Sequence, residues 1–359
     1  MTASDRDDAD AGTPPAHKRR PRYRGTHPRR FEEKYKERAP EQYPELVEHV
    51  LARGRTPAGQ HVPIMVDEVL SVLALRPGER GVDGTLGFGG HAERFLQRLA
   101  PGGQLLALDV DPIELPKTEA RLRAAGHDGP ALLVRRGNFA GLAAALHEIG
   151  WGDGADFVFA DLGVSSMQLD DPARGFGFKA DGPLDMRMNP ARGLSAADWL
   201  ARGSVAELSA ALTDDADEPH AATIARALVA RVKSAAGAPR TTTQLADAVR
   251  AALAGAPDSA EVERSVRRVF QALRIEVNDE FGALDAFLRQ LPTCLRRGGR
   301  AALLSFHSGE DRRVKIAFRT GLRDGSYAAV AEDVLRASPA EQRANPRSSS
   351  AKLRWARKA

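Results

Sequence analysis

Four glycines crowd one short stretch of this 359-residue chain: Gly84, Gly87, Gly89 and Gly90 in "VDGTLGFGGHAERFL", residues 82–96. Glycine lets a backbone turn tightly and approach a ligand closely. Such a strand-to-helix turn holds a phosphate, a dinucleotide or S-adenosylmethionine, or is simply a tight turn. A phosphate-gripping loop needs Lys and then Ser or Thr after its last glycine; here His91 and Ala92 follow. A dinucleotide turn needs G-x-G-x-x-G, and Gly87-Phe88-Gly89-Gly90 has the wrong third spacing. Asp109 ends the next apolar run, at the right distance to take a pair of ribose hydroxyls. Asp83, inside the turn, would repel a pyrophosphate but tolerate a sulfonium cation. The charge argument favours the methyl donor. His307 closes another apolar run, "RAALLSFHS" (300–308), and strand ends are where open α/β sheets carry their site residues. Cys294, the only cysteine, reads as a small core residue and excludes a disulfide framework or a multi-cysteine zinc site. No metal site is expected.

These residues need a scaffold, and the apolar pattern supplies one. Runs at 81–87, 104–111, 131–138 and 155–163 alternate with helix-like segments at 91–100, 113–125 and 139–148. Strands alternating with helices of about ten residues imply βαβ crossovers and a parallel, doubly wound α/β sheet. A helix is expected within 61–75. The rhythm stops at 163–194, which is rich in Gly and Pro without period; a loop of that length is more often functional or disordered than idle. A helical block of about 80 residues follows, with Ile224, Leu228 and Val232, then Leu245, Val249 and Leu253, recurring every four positions. The segment from Arg268 onward reads as helical with a break near Asn278, then a buried strand at 300–308. The terminal "SSAKLRWARK" reads as an edge strand.

Composition sets the compartment and the partner. With 42% hydrophobic and 28% charged residues the chain reads as a globular, cytoplasmic protein. No run approaches the roughly 20 apolar residues of a membrane helix, and the N-terminus has no signal-peptide centre. The net charge of +4 is uneven: residues 17–38 carry ten Lys or Arg against three Glu. That segment, within a basic stretch at 1–56, reads as a disordered tail able to touch phosphates non-specifically. The last 17 residues hold six basic side chains and no acid. Both ends lean toward a polyanion.

The segments "HVPIMVDEVL", "VDGTLGFGGH", "LALDVDP", "ADLGVSSMQLDDPARGFGFKADGPLDMRMNP", "QALRIEVNDE" and "LLSFHSGEDRRVK" occur in this order. Together they closely resemble the bacterial 16S ribosomal RNA cytosine-N4 methyltransferase family. The resemblance runs from about residue 61 to the C-terminus, and the Asp161–Met188 run is its most specific part. It implies a class I S-adenosylmethionine-dependent methyltransferase fold with a helical insertion. Residues 57–170 and 270–359 would form the discontinuous methyltransferase domain. Residues 171–269 would form a loop plus helical insertion that recognises substrate. The implied substrate is N4 of a decoding-centre cytidine in 16S rRNA of the small ribosomal subunit, with no membrane partner; a homodimer is one option for the oligomeric state. Carried over position by position, Gly89, Gly90, His91 and Asp109 would bind the donor, with Phe139 beside its adenine. Asp161 and Gln168 would approach its methionine end. Each has a plainer alternative: Phe139 as core, Gln168 as loop. The chain departs from the family at Gly309, where a larger apolar residue is usual, which would loosen the following helix. It departs again at "DADEPHAATIARA" in the insertion.

An exocyclic amine is a poor nucleophile because its lone pair is delocalised into the ring. A site helps by accepting its N–H bonds and by aligning it with the methyl group. Asp161 is expected to accept a proton or hydrogen bond, helped by the carbonyls of Leu162 and Gly163. His307 would take the released proton or contact the base, or be a buried structural histidine. Arg187 would clamp an RNA phosphate or pair with Asp185 or Asp181. Methylation at ring carbon C5 would need a cysteine thiolate, and Cys294 is poorly placed for it. Two other classes remain: an amino-methyltransferase acting on DNA, and a non-catalytic ribosome-assembly factor that keeps the donor-binding fold.

Overall fold

The computed structural model describes residues 63–255 and 258–359, so the basic segment 1–56 and the boundary at residue 57 lie outside the described residues. Helix α1 (Val66–Leu73) leads into strand β1 (Arg80–Asp83), and the glycine turn then opens α2 (Gly90–Leu99). The alternation continues through β2 (Gln104–Asp109), α3 (Glu114–Ala124), β3 (Leu132–Arg136), α4 (Leu142–Glu148) and β4 (Ala155–Asp161). After β4 come a short helix α5 (Ser166–Asp170) and the helices α6 (Ala196–Arg202), α7 (Val205–Ala216), α8 (Ala221–Lys233) and α9 (Thr242–Ala252). The long α10 (Ser259–Asn278) and α11 (Glu280–Gln290) return the chain to the sheet at β5 (Leu295–Ser305). Helix α12 (Ser308–Arg323), β6 (Tyr327–Val330), α13 (Pro339–Ala344) and β7 (Lys352–Lys358) complete the order.

The sheet runs β3-β2-β1-β4-β5-β7-β6, parallel from β3 to β5, with β7 antiparallel to both neighbours. This is the doubly wound α/β arrangement expected. One expectation is corrected: the terminal strand is not at the edge. It is inserted between β5 and β6, and the edge belongs to β6, a four-residue strand too short to show in the apolar pattern.

Side chains of the central strands alternate between two cores. Phe157 and Phe159 of β4 join Leu105 and Ala107 on one face, with Phe95 and Met65. Val158 and Ala160 join Leu106 and Leu108 on the other, with Leu142 and Phe287. Cys294 lies buried in that second core. Period-two alternation buried on both sides is what a parallel sheet covered by helices requires.

A third core is wholly helical and includes Leu200, Leu212, Ile224, Leu228, Leu245, Val249, Val269 and Leu273. Ile224 and Leu228 therefore mark the inward face of α8, and Leu245 and Val249 that of α9, with Leu253 buried just beyond it; Val232 is only half-buried and lies outside this core. The sequence-drawn limit at 269/270 falls inside α10, whose Phe270 and Leu273 still face this helical core. The helix breaks where expected: Asp279 takes the left-handed conformation, φ 48°, between α10 and α11. Among the described residues, no helix is long and apolar enough to cross a membrane.

The departures from the family pattern are absorbed by packing. A Cβ on Gly309 would sit 2.5 Å from the Phe281 ring, so glycine lets Phe281 close onto the start of α12, which is not loosened. In the divergent insertion segment, Asp217 accepts from Ser308 Oγ at 2.8 Å and Glu218 from Ser265 Oγ at 2.9 Å. The segment thus ties the helical core to the corner between β5 and α12.

Candidate active site

The glycine turn is stretched between three strands. Gly84 donates to the Phe159 carbonyl of β4 and Leu86 to the Leu108 carbonyl of β2, both at 2.8 Å. Gly89 has φ +78° and would place a Cβ 2.9 Å from Thr118 of α3; at Gly90 a Cβ would press within 3.0 Å of the Pro63 ring. Both glycines are therefore fixed by close approach. The turn floors a cavity of about 400 Å³, a size suited to a small-molecule ligand.

Asp109 stands at the end of β2 beside this floor. Its Oδ2 accepts from Gly87 N at 2.7 Å and its Oδ1 from Asp111 N at 2.9 Å. Burial pushes its carboxyl above the ordinary range, against those two bonds. Phe139 opens the segment after β3, lines the cavity and meets Phe287 edge-on at 5.2 Å. Cavity wall and core residue are one and the same here.

Asp161 ends β4 across the cavity from Asp109. Its backbone N donates to Thr85 Oγ1 at 2.6 Å, which locks the strand end to the turn. Its Oδ1 is buried without a hydrogen-bond partner, and its Oδ2 lies 3.9 Å from His91 Nδ1. His91 Nε2 is 2.9 Å from the Ile64 carbonyl. A carbonyl only accepts, so Nε2 carries the proton and Nδ1 presents a lone pair to Asp161. Burial lowers His91 to about 4, so the ring is neutral. Burial, then the charges of Asp83 and Glu310, raises Asp161 to about 8. Asp83, buried behind the turn, is raised to about 7 by burial, with Asp109 adding to it. Acids gathered at such a cost favour a positively charged occupant. The orphaned Asp161 oxygen and the close-packed glycines suit S-adenosylmethionine, whose sulfonium and amino groups are cationic. Gly89, Gly90, His91, Asp109, Phe139 and Asp161 would hold it.

Gln168 has a framing role that the sequence did not show. Its Oε1 accepts from Ser165 N at 2.9 Å in a capping box that starts α5, and its Nε2 donates to Asp111 Oδ2 at 2.8 Å. Asp111 also receives Arg174 Nη1 at 2.8 Å, and Arg174 Nη2 reaches the carbonyls of Arg187 and Met188. The aperiodic loop is therefore tied down by a buried ion pair. Gln168 lines the cavity while its amide is committed to that network. Arg187 forms a two-point pair with Asp185, at 2.8 and 2.7 Å, which supports the second of its two readings.

His307 is not among the residues that line the cavity. It precedes α12 with its Nε2 3.2 Å from Glu310 Oε1, and Glu310 does line the cavity. Arg274 and Asn278, one turn apart on α10, complete that wall. Arg274 grips Glu280 with Nε and Nη2 at 2.8 and 2.9 Å. Glu280, His307 and Glu310 have ligand atoms within 4.8 Å of one another, a spacing a metal ion could use. Arg274 already supplies the local positive charge.

The MraW methylase family model matches residues 58–359, nearly all of the chain beyond its basic start. The chain belongs to this family. Relatives within the MraW methylase family are similar over nearly their full length. Ribosomal RNA small subunit methyltransferase H 1 of Lachnoclostridium phytofermentans is 48% identical over 96% of this chain and 94% of its own. Ribosomal RNA small subunit methyltransferase H of Acidobacterium capsulatum is 42% identical over 83% of this chain and 98% of its own. Among solved structures, TrmN from Thermus thermophilus has 12% identity and a TM-score of 0.39, covering 82% of this chain and 48% of that one. The fold is that of a class I, S-adenosylmethionine-dependent methyltransferase, and the chain is an enzyme of that kind.

Among the residues around this cavity that escaped the sequence reading are Asp111, Arg174, Arg274 and Glu310. A signal existed for two. Arg274 and Asn278 are spaced i, i+4 on one helical face. Glu310 is the third residue into α12, where an acid can reach back to the start of the helix.

Proposed function

We propose that this protein transfers the methyl group of S-adenosylmethionine to N4 of a cytidine in 16S rRNA, within the small ribosomal subunit. The observation that carries the reading is the placement of Asp161. It joins the glycine turn on one side and an acid-lined wall on the other, with one oxygen left unpartnered. The bound donor supplies an electrophilic methyl group. The residues of the chain hold the donor and orient the amine. Asp109 is placed to take ribose hydroxyls, Phe139 to flank an adenine, and Asp161 to accept a hydrogen bond from the amino group, which draws lone-pair density onto nitrogen.

The names of the relatives support ribosomal RNA as substrate, and the basic residues of the last 17, apart from Arg354 buried against Asp311, suit a phosphate backbone. Arg347, at the rim of the cavity and paired with Asp170 at 2.7 Å, is one of them. A cytoplasmic location follows from this reading. The test is transfer from methyl-labelled donor to purified small subunits, with the nucleosides separated by mass spectrometry. Label in N4-methylcytidine is expected; label in any other nucleoside, or none, contradicts the reading.

A further inference from the structure

We infer that Glu310, not His307, is the carboxylate that takes the N4 proton, with His307 a positioning residue that reaches the reaction only through it. The inference rests on the N4-cytidine reading above. Methyl transfer forms a carbon–nitrogen bond as the methyl–sulfur bond breaks, its electron pair staying on sulfur. The nitrogen then carries one proton too many and a positive charge. A carboxylate beside it takes that proton and becomes a neutral acid, so charge and atoms balance.

Three carboxylates line this part of the cavity; Glu280 is committed to Arg274 through both oxygens, which leaves Asp161 and Glu310. Glu310 is 2% exposed, and its Oε1 lies 3.8 Å from where a Cβ on Gly163 would be, just past Asp161. Arg274 nitrogens lie 3.8 and 4.0 Å from the same point. The cavity wall after β4 therefore presents one carboxylate oxygen flanked by a guanidinium. Phe306 N donates to the other oxygen, Oε2, at 2.9 Å, which fixes the group in place. Behind it, His307 Nε2 faces Oε1 at 3.2 Å, with its ring tilted against Phe281 at 5.7 Å.

The electrostatics of the two acids differ in the direction this division of labour needs. Burial acts to raise Glu310, but His307, Arg274 and the Phe306 amide outweigh it and leave the group below its ordinary value. It stays ionised at neutral pH. Asp161 is raised, by burial first, to about 8. Until a cation binds, Asp161 is in large part protonated, and with one it is occupied in balancing that charge. Glu310 is the carboxylate left free to accept a proton.

The test compares Glu310→Gln, His307→Asn and Asp161→Asn in the full chain, at saturating donor and under single-turnover conditions. The Glu310→Gln side chain keeps the shape and can still accept from Phe306 N, and donor affinity by calorimetry checks the fold and the donor site together. The expected Glu310→Gln result is a folded protein that still binds donor to saturation, with transfer slowed about 10²–10⁴-fold at every pH, the usual range for a lost proton acceptor. His307→Asn should keep more activity but move the acid limb of the rate profile to higher pH, since Glu310 loses a neighbour that favours its charge. Transfer by Glu310→Gln within about threefold of wild type overturns the inference. So does an unmoved acid limb in His307→Asn. If wild-type protein yields no N4-methylcytidine, the underlying reading fails instead, and the two failures are distinguishable.

Discussion

Asp111 and Arg174 form an ion pair at 2.8 Å, both nearly inaccessible to solvent, between the end of β2 and the loop after β4. The pair joins the strand end that carries Asp109, the proposed ribose carboxylate, to the loop after β4 that lines the cavity. Arg174 then fastens the loop further on through the Arg187 and Met188 carbonyls.

Breaking this pair from one side should be costly. Arg174→Ala leaves Asp111 buried and uncompensated, and about 3–5 kcal/mol of stability should be lost. The double variant Asp111→Asn with Arg174→Met removes both charges and should recover part of the loss. Urea unfolding of the three proteins checks this; equal destabilisation of single and double variants would show that the charge is not the cause.

Donor binding should strengthen as pH rises. Folded-state values of about 7 for Asp83 and about 8 for Asp161 exceed the ordinary 3.8. An acid raised in this way favours the empty folded state at low pH, and that contribution is lost as pH rises through the folded value. A cationic ligand prefers the ionised forms, so the two trends oppose. Between about pH 6 and about pH 8.5, affinity should rise by up to about tenfold per pH unit per carboxylate, and the melting shift caused by donor should grow. A flat affinity over this range would remove the acids from donor binding.

Asp109 should matter through its hydrogen bonds. Asp109→Ala should weaken donor binding by about 1–3 kcal/mol, the range for lost bonds to a charged group, and also free the Gly87 and Asp111 amides. Asp109→Asn keeps one acceptor oxygen and should lose less. Calorimetry showing unchanged affinity in the Ala variant would exclude Asp109 from the site.

The glycine turn provides a steric test. Ala at position 89 must adopt φ +78° with its Cβ 2.9 Å from Thr118. A strained left-handed residue costs about 1–3 kcal/mol. Gly102, also at positive φ but with nothing within 4 Å, is the control for strain without contact. Gly89→Ala should lose both stability and donor affinity, whereas Gly102→Ala should lose stability alone.

Much of this arrangement was legible in the sequence because it follows from local period and spacing. The alternation of apolar runs placed four strands and three helices, and the break near Asn278 coincides with Asp279 in the left-handed conformation. Glycine spacing, Asp83 beside a cation and Asp109 for ribose hydroxyls together favour the methyl donor from sequence alone. What stayed hidden depends on long-range partners. Glu310 and Arg274 are separated by thirty-six positions and meet only once β5 joins β4. Nothing local to Gln168 reveals that Asp111 claims its amide. His307 stood at a strand end, as site residues do, yet the carboxylate three residues on lies between it and the cavity.

Asp161 is proposed to lie where donor and cytidine amine meet. The direct measurement is the single-turnover rate of methyl transfer to small subunits by Asp161→Asn and Asp161→Ala at saturating donor. Saturation keeps weakened binding from imitating lost chemistry. With Glu310 as proton acceptor and Asp161 orienting the amine through a hydrogen bond, Asn should retain measurable transfer. Ala should fall about 10²-fold or more below wild type while remaining folded. Near wild-type transfer by the Ala variant would contradict this placement of Asp161.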